Sequence, residues 1–377
     1  MTAFAERLRA LDPVALAARL DAVRPGDVDR LLAAPRIRPD AAPILFAPAA
    51  AERLEALARR AHRSTLERFG RTIALYAPLY LSSHCVNRCA YCGFAAGRDV
   101  PRSALSVAQA LDEADALAAQ GLRHLLLVTG EAPAVYGLDE LCTAARALRP
   151  RAASLAAEIF ACDEPGYRRL AAAGVDGLVL YQETYLRRRY RALHPAGPKR
   201  DFDRRLAAIE AAGRAGMRSL GIGALLGLGP PRIEACLLAA HAEHLTRAHP
   251  GARLAISFPR LRPVPGGAPA RHPVDDATLV QLLAGMRLLF PDAELVVSTR
   301  EPARLRDRLL PLGVTRISAG SRTSPGGYRR RTDPAAGQFS VDDQRPVAAV
   351  ARAVRAAGYD VVCKDFDPAL ADGGGAR

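Results

Sequence analysis

Short apolar segments alternate with helical segments from Thr72 almost to the C-terminus, and this alternation constrains the fold more than any other feature. The apolar segments are nearly continuous, a pattern typical of strands buried on both faces of a parallel sheet. Eight strands are predicted, at residues 73–81, 125–129, 152–160, 177–181, 219–226, 254–258, 295–299 and 316–319. Eight helices are predicted between or after them, at residues 106–120, 138–148, 166–173, 203–215, 232–248, 276–290, 303–310 and 345–357. Eight strand and helix units predict an α/β fold, a (β/α)8 barrel of the TIM type.

The regions outside the barrel are assigned from their composition. Residues 1–70 are predicted to form a helical segment that flanks the barrel, with helices at 14–23 and 49–69. The barrel is predicted at residues 71–322, and residues 323–370 are predicted to pack on it as a short C-terminal extension. Lys364 in this extension is a candidate contact for a partner or for the substrate loop. The glycine-rich residues 371–377 are expected to be disordered.

Charge and composition bear on location and on partners. The first 20 residues carry charged side chains throughout and no long apolar run, which argues against a signal peptide or membrane span and predicts a cytoplasmic protein. The net charge of +14 comes from 53 basic residues, of which only Lys199 and Lys364 are lysines. The arginines are dispersed and are not interleaved with aromatic residues, so binding to nucleic acid or membranes is not expected. A basic RNA-binding protein is kept as an alternative that salt-dependent RNA affinity would reveal.

Three of the seven cysteines form a compact group, Cys85, Cys89 and Cys92, with the spacing Cys-x3-Cys-x2-Cys. A structural zinc site needs four protein ligands. Three thiolates can hold an iron–sulfur cube and leave one iron open. His84 is a poor fourth ligand because adjacent residues rarely both reach one metal. A zinc site completed by a distant ligand, and chance proximity, are the alternatives. The remaining cysteines are interpreted as small buried apolar residues: Cys142, Cys162, Cys236 and Cys363.

With Tyr91 just before the last cysteine, this motif resembles that of the radical S-adenosylmethionine (SAM) superfamily. The resemblance implies a [4Fe-4S] cluster on Cys85, Cys89 and Cys92. It also implies that the amino and carboxylate groups of SAM chelate the open iron. One electron from the cluster would then split SAM and produce a 5'-deoxyadenosyl radical. Tyr91 is expected to help form the cavity beside the cluster.

Polar residues follow or end seven of the eight predicted strands. In a βα barrel the carboxyl ends of the strands meet at one face, where the active site lies. The polar groups fall at Ser82-Ser83, Thr129-Gly130-Glu131, Glu158, Gln182-Glu183-Thr184, Ser257, Ser298-Thr299-Arg300-Glu301 and Ser318. Because the first of these runs directly into Cys85, the sequence predicts one site at this face.

Individual roles follow from chemistry and from the resemblance. Thr129-Gly130-Glu131 is similar to the Gly-Gly-Glu element of the superfamily, which implies a contact with the SAM ammonium group. Glu158 and Glu183 are expected to bind that ammonium or the ribose hydroxyls. Arg300 and Ser318 are expected to hold the carboxylate of an amino-acid substrate, because a guanidinium matches a carboxylate in shape and charge. Structural ion pairs on the barrel rim are the alternative for these side chains.

A set of ordered motifs is similar, more narrowly, to the 2-iminoacetate synthase family, the tyrosine lyases of thiazole formation in thiamine biosynthesis. The similarity spans about residues 70–370 and rests on segments 78–94, 127–131, 181–185, 257–263, 295–301, 324–328 and 364–367. It implies that the radical takes a hydrogen from the amino group of L-tyrosine, that the Cα–Cβ bond breaks, and that 2-iminoacetate and p-cresol leave. It also implies a complex with thiazole synthase and a reductant such as flavodoxin or ferredoxin.

Three competing functions stay open at this stage. The tyrosine lyase of hydrogenase maturation carries a second cluster on a C-terminal cysteine group, whereas the C-terminal region here has only Cys363. A tryptophan lyase would use a similar fold and chemistry. A non-catalytic iron–sulfur electron carrier would hold a cluster that does not respond to SAM.

Overall fold

A closed barrel of eight parallel strands forms the centre of the computed structural model, which describes residues 3–330 and 336–363. The strands β1 to β8 are Thr72–Ser82, His124–Thr129, Ser154–Glu158, Gly177–Val179, Ser219–Gly223, Arg253–Ser257, Glu294–Val297 and Arg316–Ser318. Each strand pairs with the next, and β1 closes the barrel by pairing with both β8 and β2. The predicted (β/α)8 barrel is confirmed.

Helices cover the outside of the barrel. Those that follow successive strands are Val107–Ala118, Leu138–Leu148, Glu164–Ala172, Phe202–Arg214, Pro231–Ala248, Asp276–Leu289, Ala303–Leu309 and Val347–Ala356. Several begin where a side chain caps the free backbone N–H groups, as Asp163, Asp201 and Asp275 do. A short helix missed by the sequence reading, Arg187–Leu193, lies in the loop after β4.

The N-terminal helices pack on the barrel helices. Their bounds are Ala3–Ala10, Pro13–Ala22, Pro25–Ala33, Ala42–Phe46, Pro48–Ala51 and Leu54–Phe69. Leu54–Phe69 lies against Asp276–Leu289, and a continuous hydrophobic core joins Phe4 and Leu57 of these helices to Leu75 of β1. The helix predicted at 49–69 is interrupted by a turn at Glu52 and Arg53.

The C-terminal part of the described chain returns to the first strand. A ninth strand, Asp360–Val362, pairs in parallel with the start of β1, Thr72 opposite Asp360. Lys364, the rest of the 364–367 segment and the tail 371–377 lie outside the described residues. No helix in the ranges 3–330 and 336–363 is long and apolar enough to cross a membrane.

Gln281 ties the N-terminal helices to the barrel, and its replacement tests the strength of that connection. Its Nε2 donates to Leu45 O at 2.9 Å and to Ala47 O at 2.8 Å, and its Oε1 accepts from Arg232 at 2.7 Å. Gln281→Met removes all three hydrogen bonds, so we expect a loss of about 2–4 kcal/mol in the free energy of unfolding. Urea denaturation measures this loss. The exposed Gln120→Met is the control and should change stability by less than about 0.5 kcal/mol; equal effects would contradict the assignment.

Candidate active site

A cavity opens at the carboxyl ends of the barrel strands and has an empty volume of about 870 Å³ measured to its open mouth. Ten of the eleven predicted site residues line it: Cys85, Cys89, Tyr91, Cys92, Thr129, Gly130, Glu131, Glu158, Glu183 and Arg300. Ser318 does not. The strand ends therefore bring together side chains that lie more than 200 positions apart in the chain.

The loop that carries the three cysteines is fastened to the end of β2. Gly130 N donates to Ser82 O at 3.0 Å, and Val86 N donates to Glu131 O at 2.8 Å. The two segments approach so closely that a Cβ at Gly130 would lie 2.2 Å from His84 O. Only glycine fits at this position, because any side chain would push the cysteine loop away.

Asn87 fastens the other side of the cysteine loop. Its Nδ2 donates to Glu131 Oε2 at 2.6 Å, and its Oδ1 accepts from Lys199 N at 2.8 Å. Gly197 has a φ of 93°, and a Cβ there would lie 2.3 Å from Asn87 Oδ1. One buried amide thus links the cysteine loop to the loop after β2 and to the segment before Lys199.

Two of the three thiols, Cys89 and Cys92, are set in an environment that disfavours free thiolates. Burial raises the pKa of Cys89 to about 12, although Lys199 opposes this, and burial also raises the pKa of Cys92. Gln338 Nε2 lies 3.8 Å from Cys92 Sγ. Within residues 3–330 and 336–363, no group of three or more His, Cys, Asp or Glu side chains is arranged to hold a single metal ion. Three soft sulfur donors around one cavity fit an iron–sulfur cluster, whose positive irons would stabilise the thiolate form.

Glu183 is a buried carboxylate that two cations compensate. Lys199 Nζ donates to Glu183 Oε1 at 2.6 Å, and Arg205 Nη2 lies 3.8 Å from the same oxygen. Burial alone would raise the pKa of Glu183, but Lys199 and Arg205 outweigh it and hold the pKa below its usual value. Glu183 has a φ of 69°, and among the non-glycine residues of the described chain no other φ is positive. Such strain is typical of functional positions.

Glu158 has a different electrostatic environment, although it lines the same cavity. Burial, and then the nearby Glu183, raise the pKa of Glu158 to about 6, while Arg300 opposes the shift. Its carboxyl group makes no hydrogen bond within the described part of the chain. Glu158 is therefore a carboxyl group that changes its protonation near neutral pH, whereas Glu183 stays ionised.

Arg300 presents a cation to the cavity. Its guanidinium carbon lies 3.4 Å from the centroid of the Phe339 ring. Gln338, next to Phe339, accepts from the Tyr80 hydroxyl at 2.7 Å and from Gly93 N at 2.9 Å through its side-chain and backbone oxygens. No ion pair to Arg300 exists among the residues the structure describes, so its charge is available to an anionic ligand.

Ser318 lies behind the cavity wall. Its Oγ accepts from Thr299 N at 3.0 Å, and its backbone oxygen accepts from Arg306, which also pairs with buried Asp343. The structure therefore does not bring the Ser318 hydroxyl to the cavity beside Arg300. Its contact is with the backbone of the residue before Arg300.

Tyr91 lies in the wall between Cys89 and Cys92 and bonds to a neutral histidine. Burial lowers the pKa of His194 to about 3. His194 Nδ1 lies 2.8 Å from Tyr190 O, so Nδ1 carries the proton and Nε2 accepts from the Tyr91 hydroxyl at 2.7 Å. The Lys199 ammonium lies 5.5 Å from the centre of the Tyr91 ring. The Tyr91 hydroxyl is thus engaged in a hydrogen bond to His194, and the Tyr91 ring faces the Lys199 cation.

Several cavity residues were missed by sequence reasoning: Asn87, Lys199, Arg205, Gln338 and Phe339. Lys199 carried a signal, because it is one of only two lysines in an arginine-rich chain. Arg205 sits on a helix and Gln338 on a loop remote in sequence, so neither follows a strand end.

Glu234 holds the loop on which Glu183 lies. Its carboxylate accepts from the Thr184 hydroxyl and, at 2.8 Å, from Tyr185 N. The Tyr185 hydroxyl bonds His241 Nδ1 at 2.8 Å, and His241 stacks on Phe4 with 4.3 Å between ring centres. The helix Pro231–Ala248 thus contacts the two residues that follow the strained Glu183.

Comparison with known proteins defines first the class and then the family. Residues 79–237 match the Radical SAM superfamily, and residues 257–360 match the Biotin and Thiamin Synthesis associated domain. The barrel and the three-cysteine loop are accordingly those of a radical SAM enzyme.

The chain is 41% identical to 2-iminoacetate synthase of Escherichia coli (strain K12) over 371 residues, covering 98% of each. It is 39% identical to the enzyme of the same name from Salmonella typhimurium, covering 97% of each. The chain belongs to the 2-iminoacetate synthase family.

Solved structures agree with this fold. The [FeFe]-hydrogenase maturase HydG from Carboxydothermus hydrogenoformans is 32% identical with a TM-score of 0.83, and the match covers 95% of this chain and 82% of that one. Methylornithine synthase (PylB) is 18% identical with a TM-score of 0.72, and the match covers 89% and 97% of the two chains. The similarity to methylornithine synthase supports the fold alone.

Glu234→Gln tests the pH dependence that the buried carboxyl group imposes. Burial raises the pKa of Glu234 from 4.5 to about 7, so the folded protein binds this proton more tightly than the unfolded chain. The stabilisation is present below about pH 4.5 and is lost as the pH rises towards 7. Between pH 4 and 8 the wild type should lose roughly 3 kcal/mol of unfolding free energy relative to Glu234→Gln. Urea denaturation across this range measures the difference. The exposed Glu55→Gln should parallel the wild type; parallel behaviour of Glu234→Gln would contradict the expectation.

Proposed function

We propose that this protein cleaves the Cα–Cβ bond of L-tyrosine to 2-iminoacetate and p-cresol, using SAM and a [4Fe-4S] cluster, in the formation of the thiamine thiazole. The observation that carries the proposal is that three cysteine thiols and Arg300, which has no ion pair among the described residues, line one cavity. Full-length identity of 41% to a 2-iminoacetate synthase supports the same reaction.

Cys85, Cys89 and Cys92 would hold the cluster and leave one iron for the amino and carboxylate groups of SAM. When bound, the cluster supplies the electron that splits SAM into methionine and a 5'-deoxyadenosyl radical. The chain itself supplies position, charge and the exclusion of water. The loop is held at Asn87 and Gly130, so the cysteines keep their relative positions.

The acidic residues near the cysteine loop provide the contacts for SAM. The carbonyls at Thr129 and Gly130 and the Glu131 carboxylate can accept from its ammonium group. Glu183 stays ionised because Lys199 and Arg205 compensate it, and it can accept from the ribose hydroxyls. The strained backbone fixes the direction of the Glu183 side chain, which favours one pose of a flexible cofactor.

Arg300 and Glu158 suit the two charged groups of an amino acid. Arg300 is a cation without an anionic partner among the described residues, and it would bind the carboxylate. Glu158, which the sequence assigned to SAM, lies near Arg300 and would instead accept from the amino group of the substrate, whose nitrogen loses the hydrogen. Ser318 acts indirectly, because its hydroxyl orients the Thr299–Arg300 backbone.

Apolar and aromatic side chains close the rest of the cavity: Phe94, Val128, Ile159, Phe160, Tyr181, Leu225 and Phe339. They would keep water away from a primary carbon radical and contact the phenol ring of the substrate. The product 2-iminoacetate hydrolyses in water, which favours direct transfer to thiazole synthase.

An anaerobic assay tests the proposed reaction. Reconstituted protein with dithionite, SAM and L-tyrosine should release p-cresol and 5'-deoxyadenosine, detected by liquid chromatography. Cys89→Ala, which removes one cluster ligand, should abolish both products together with the visible absorbance of the cluster. Formation of an indole product from tryptophan, with no p-cresol from tyrosine, would replace this proposal with a tryptophan lyase.

Arg300→Ala tests the carboxylate site. Loss of one buried charge-assisted hydrogen bond of about 1.5–3 kcal/mol should weaken tyrosine binding roughly 10- to 150-fold. SAM binding should be largely unchanged, because the residues proposed to contact SAM do not include Arg300. Isothermal titration of each ligand measures the two effects, with the exposed Arg304→Ala as the control. Equal weakening of tyrosine and SAM would contradict the assignment.

A further inference from the structure

A second concavity lies on the outer side of the cysteine loop. It has an empty volume of about 1290 Å³, open to solvent, between the segment Arg88–Val100 and the segment Pro265–Ala268. Among the described residues, Cys89 is the only one that lines both this groove and the inner cavity. One cysteine therefore separates the site of the cluster from the protein surface.

Small side chains form most of the groove. Nine of the fifteen residues that line the groove are glycine or alanine. The floor is held by hydrogen bonds, since Ala90 O accepts from Ala268 N at 2.8 Å and from Arg98 Nη2 at 3.2 Å. The small side chains let another macromolecule approach the backbone around Cys89 closely, and the hydrogen bonds keep that backbone in place.

The rim of the groove is cationic. Arg88 is exposed, and no ion pair to it is found in residues 3–330 and 336–363. Arg98 also lines the groove, and Asp99 is the one acid among the described lining residues. Arg191 is also exposed and lies two positions before Leu193, whose carbonyl accepts from Ala90 N at 3.0 Å. Val86, on the same loop, is 49% exposed. A cationic rim around a small apolar floor complements an acidic protein surface.

The chemistry requires an external electron at this loop. Cleavage of SAM consumes one electron from the cluster, and no described residue supplies one. Electron transfer between proteins weakens steeply with distance, so the point where Cys89 lines both the groove and the inner cavity is the favoured entry. We propose that this groove, with Arg88 on its rim, is the docking surface for an acidic one-electron carrier protein. The inference rests on the proposed function: the carrier loses one electron, the oxidised cluster gains it, and no bond is formed or broken.

Arg88→Glu in the cluster-loaded protein tests the docking surface. The probe is a flavodoxin of net negative charge, fully reduced so that it becomes a semiquinone when it gives up one electron. Stopped-flow absorbance at low salt should show cluster reduction at least tenfold slower than in the wild type, because a rim charge mainly changes the association rate. The dissociation constant for oxidised flavodoxin should rise in parallel, and both differences should shrink at high salt.

The controls separate docking from catalysis. Arg352→Glu reverses the charge of an exposed arginine in the helix Val347–Ala356 and should behave as the wild type. Reduction by dithionite, and p-cresol formation driven by it, should be unchanged in Arg88→Glu. Equal slowing in both variants, or unchanged flavodoxin reduction in Arg88→Glu, would overturn the proposal. The proposal would also be overturned if Arg88→Glu weakened the binding of thiazole synthase and not that of flavodoxin. If the wild type forms no p-cresol from tyrosine with dithionite as reductant, the proposed function fails. The rates of cluster reduction by flavodoxin would still test the docking surface.

Discussion

Closure of the barrel through β1 is the constraint on which the rest of the structure depends. This strand pairs with β8 along one edge and with β2 along the other, and its end leads directly into the cysteine loop. Because all eight strands run in the same direction, their carboxyl ends share one rim, and Cys85, Glu158 and Arg300 line one cavity although they lie on different strands or loops. The loop is then fixed by local hydrogen bonds at Gly130 and Asn87.

The cavity contains buried charges that need a partner of opposite charge to remain ionised. Glu183 is compensated by Lys199 and Arg205, and this group keeps its charges because the partners lie within a few ångströms. Glu158 lacks such a partner, and its pKa is about 6. Glu183 and Glu158 thus differ in protonation although they line one cavity, because Glu183 has two cations as close partners and Glu158 has none in the described part of the chain. Under the proposed function, this difference suits a site that binds a cofactor with several polar groups and also orients an amine.

The cysteine loop has two faces with different roles. Its inner face lines the cavity, whereas its outer face forms the floor of a groove with arginines at the rim. A radical enzyme has to exclude water from its substrate and still admit electrons from another molecule. Cys89 lines both concavities, so with a carrier docked in the groove electrons would cross the loop there while the substrate stays in the inner cavity.

The sequence by itself determined the eight strands, the helices around them and ten of the eleven residues predicted to meet at the rim. Those features are local, since periodicity and strand ends can be read from neighbouring residues. It did not determine that Ser318 turns its hydroxyl to Thr299 N, nor that Lys199, Arg205 and Gln338 enter the cavity. These side chains reach their positions through loops and helices whose paths depend on packing between distant segments. Only the tertiary structure decided which charges compensate one another, because that depends on distances across the barrel and not along the chain.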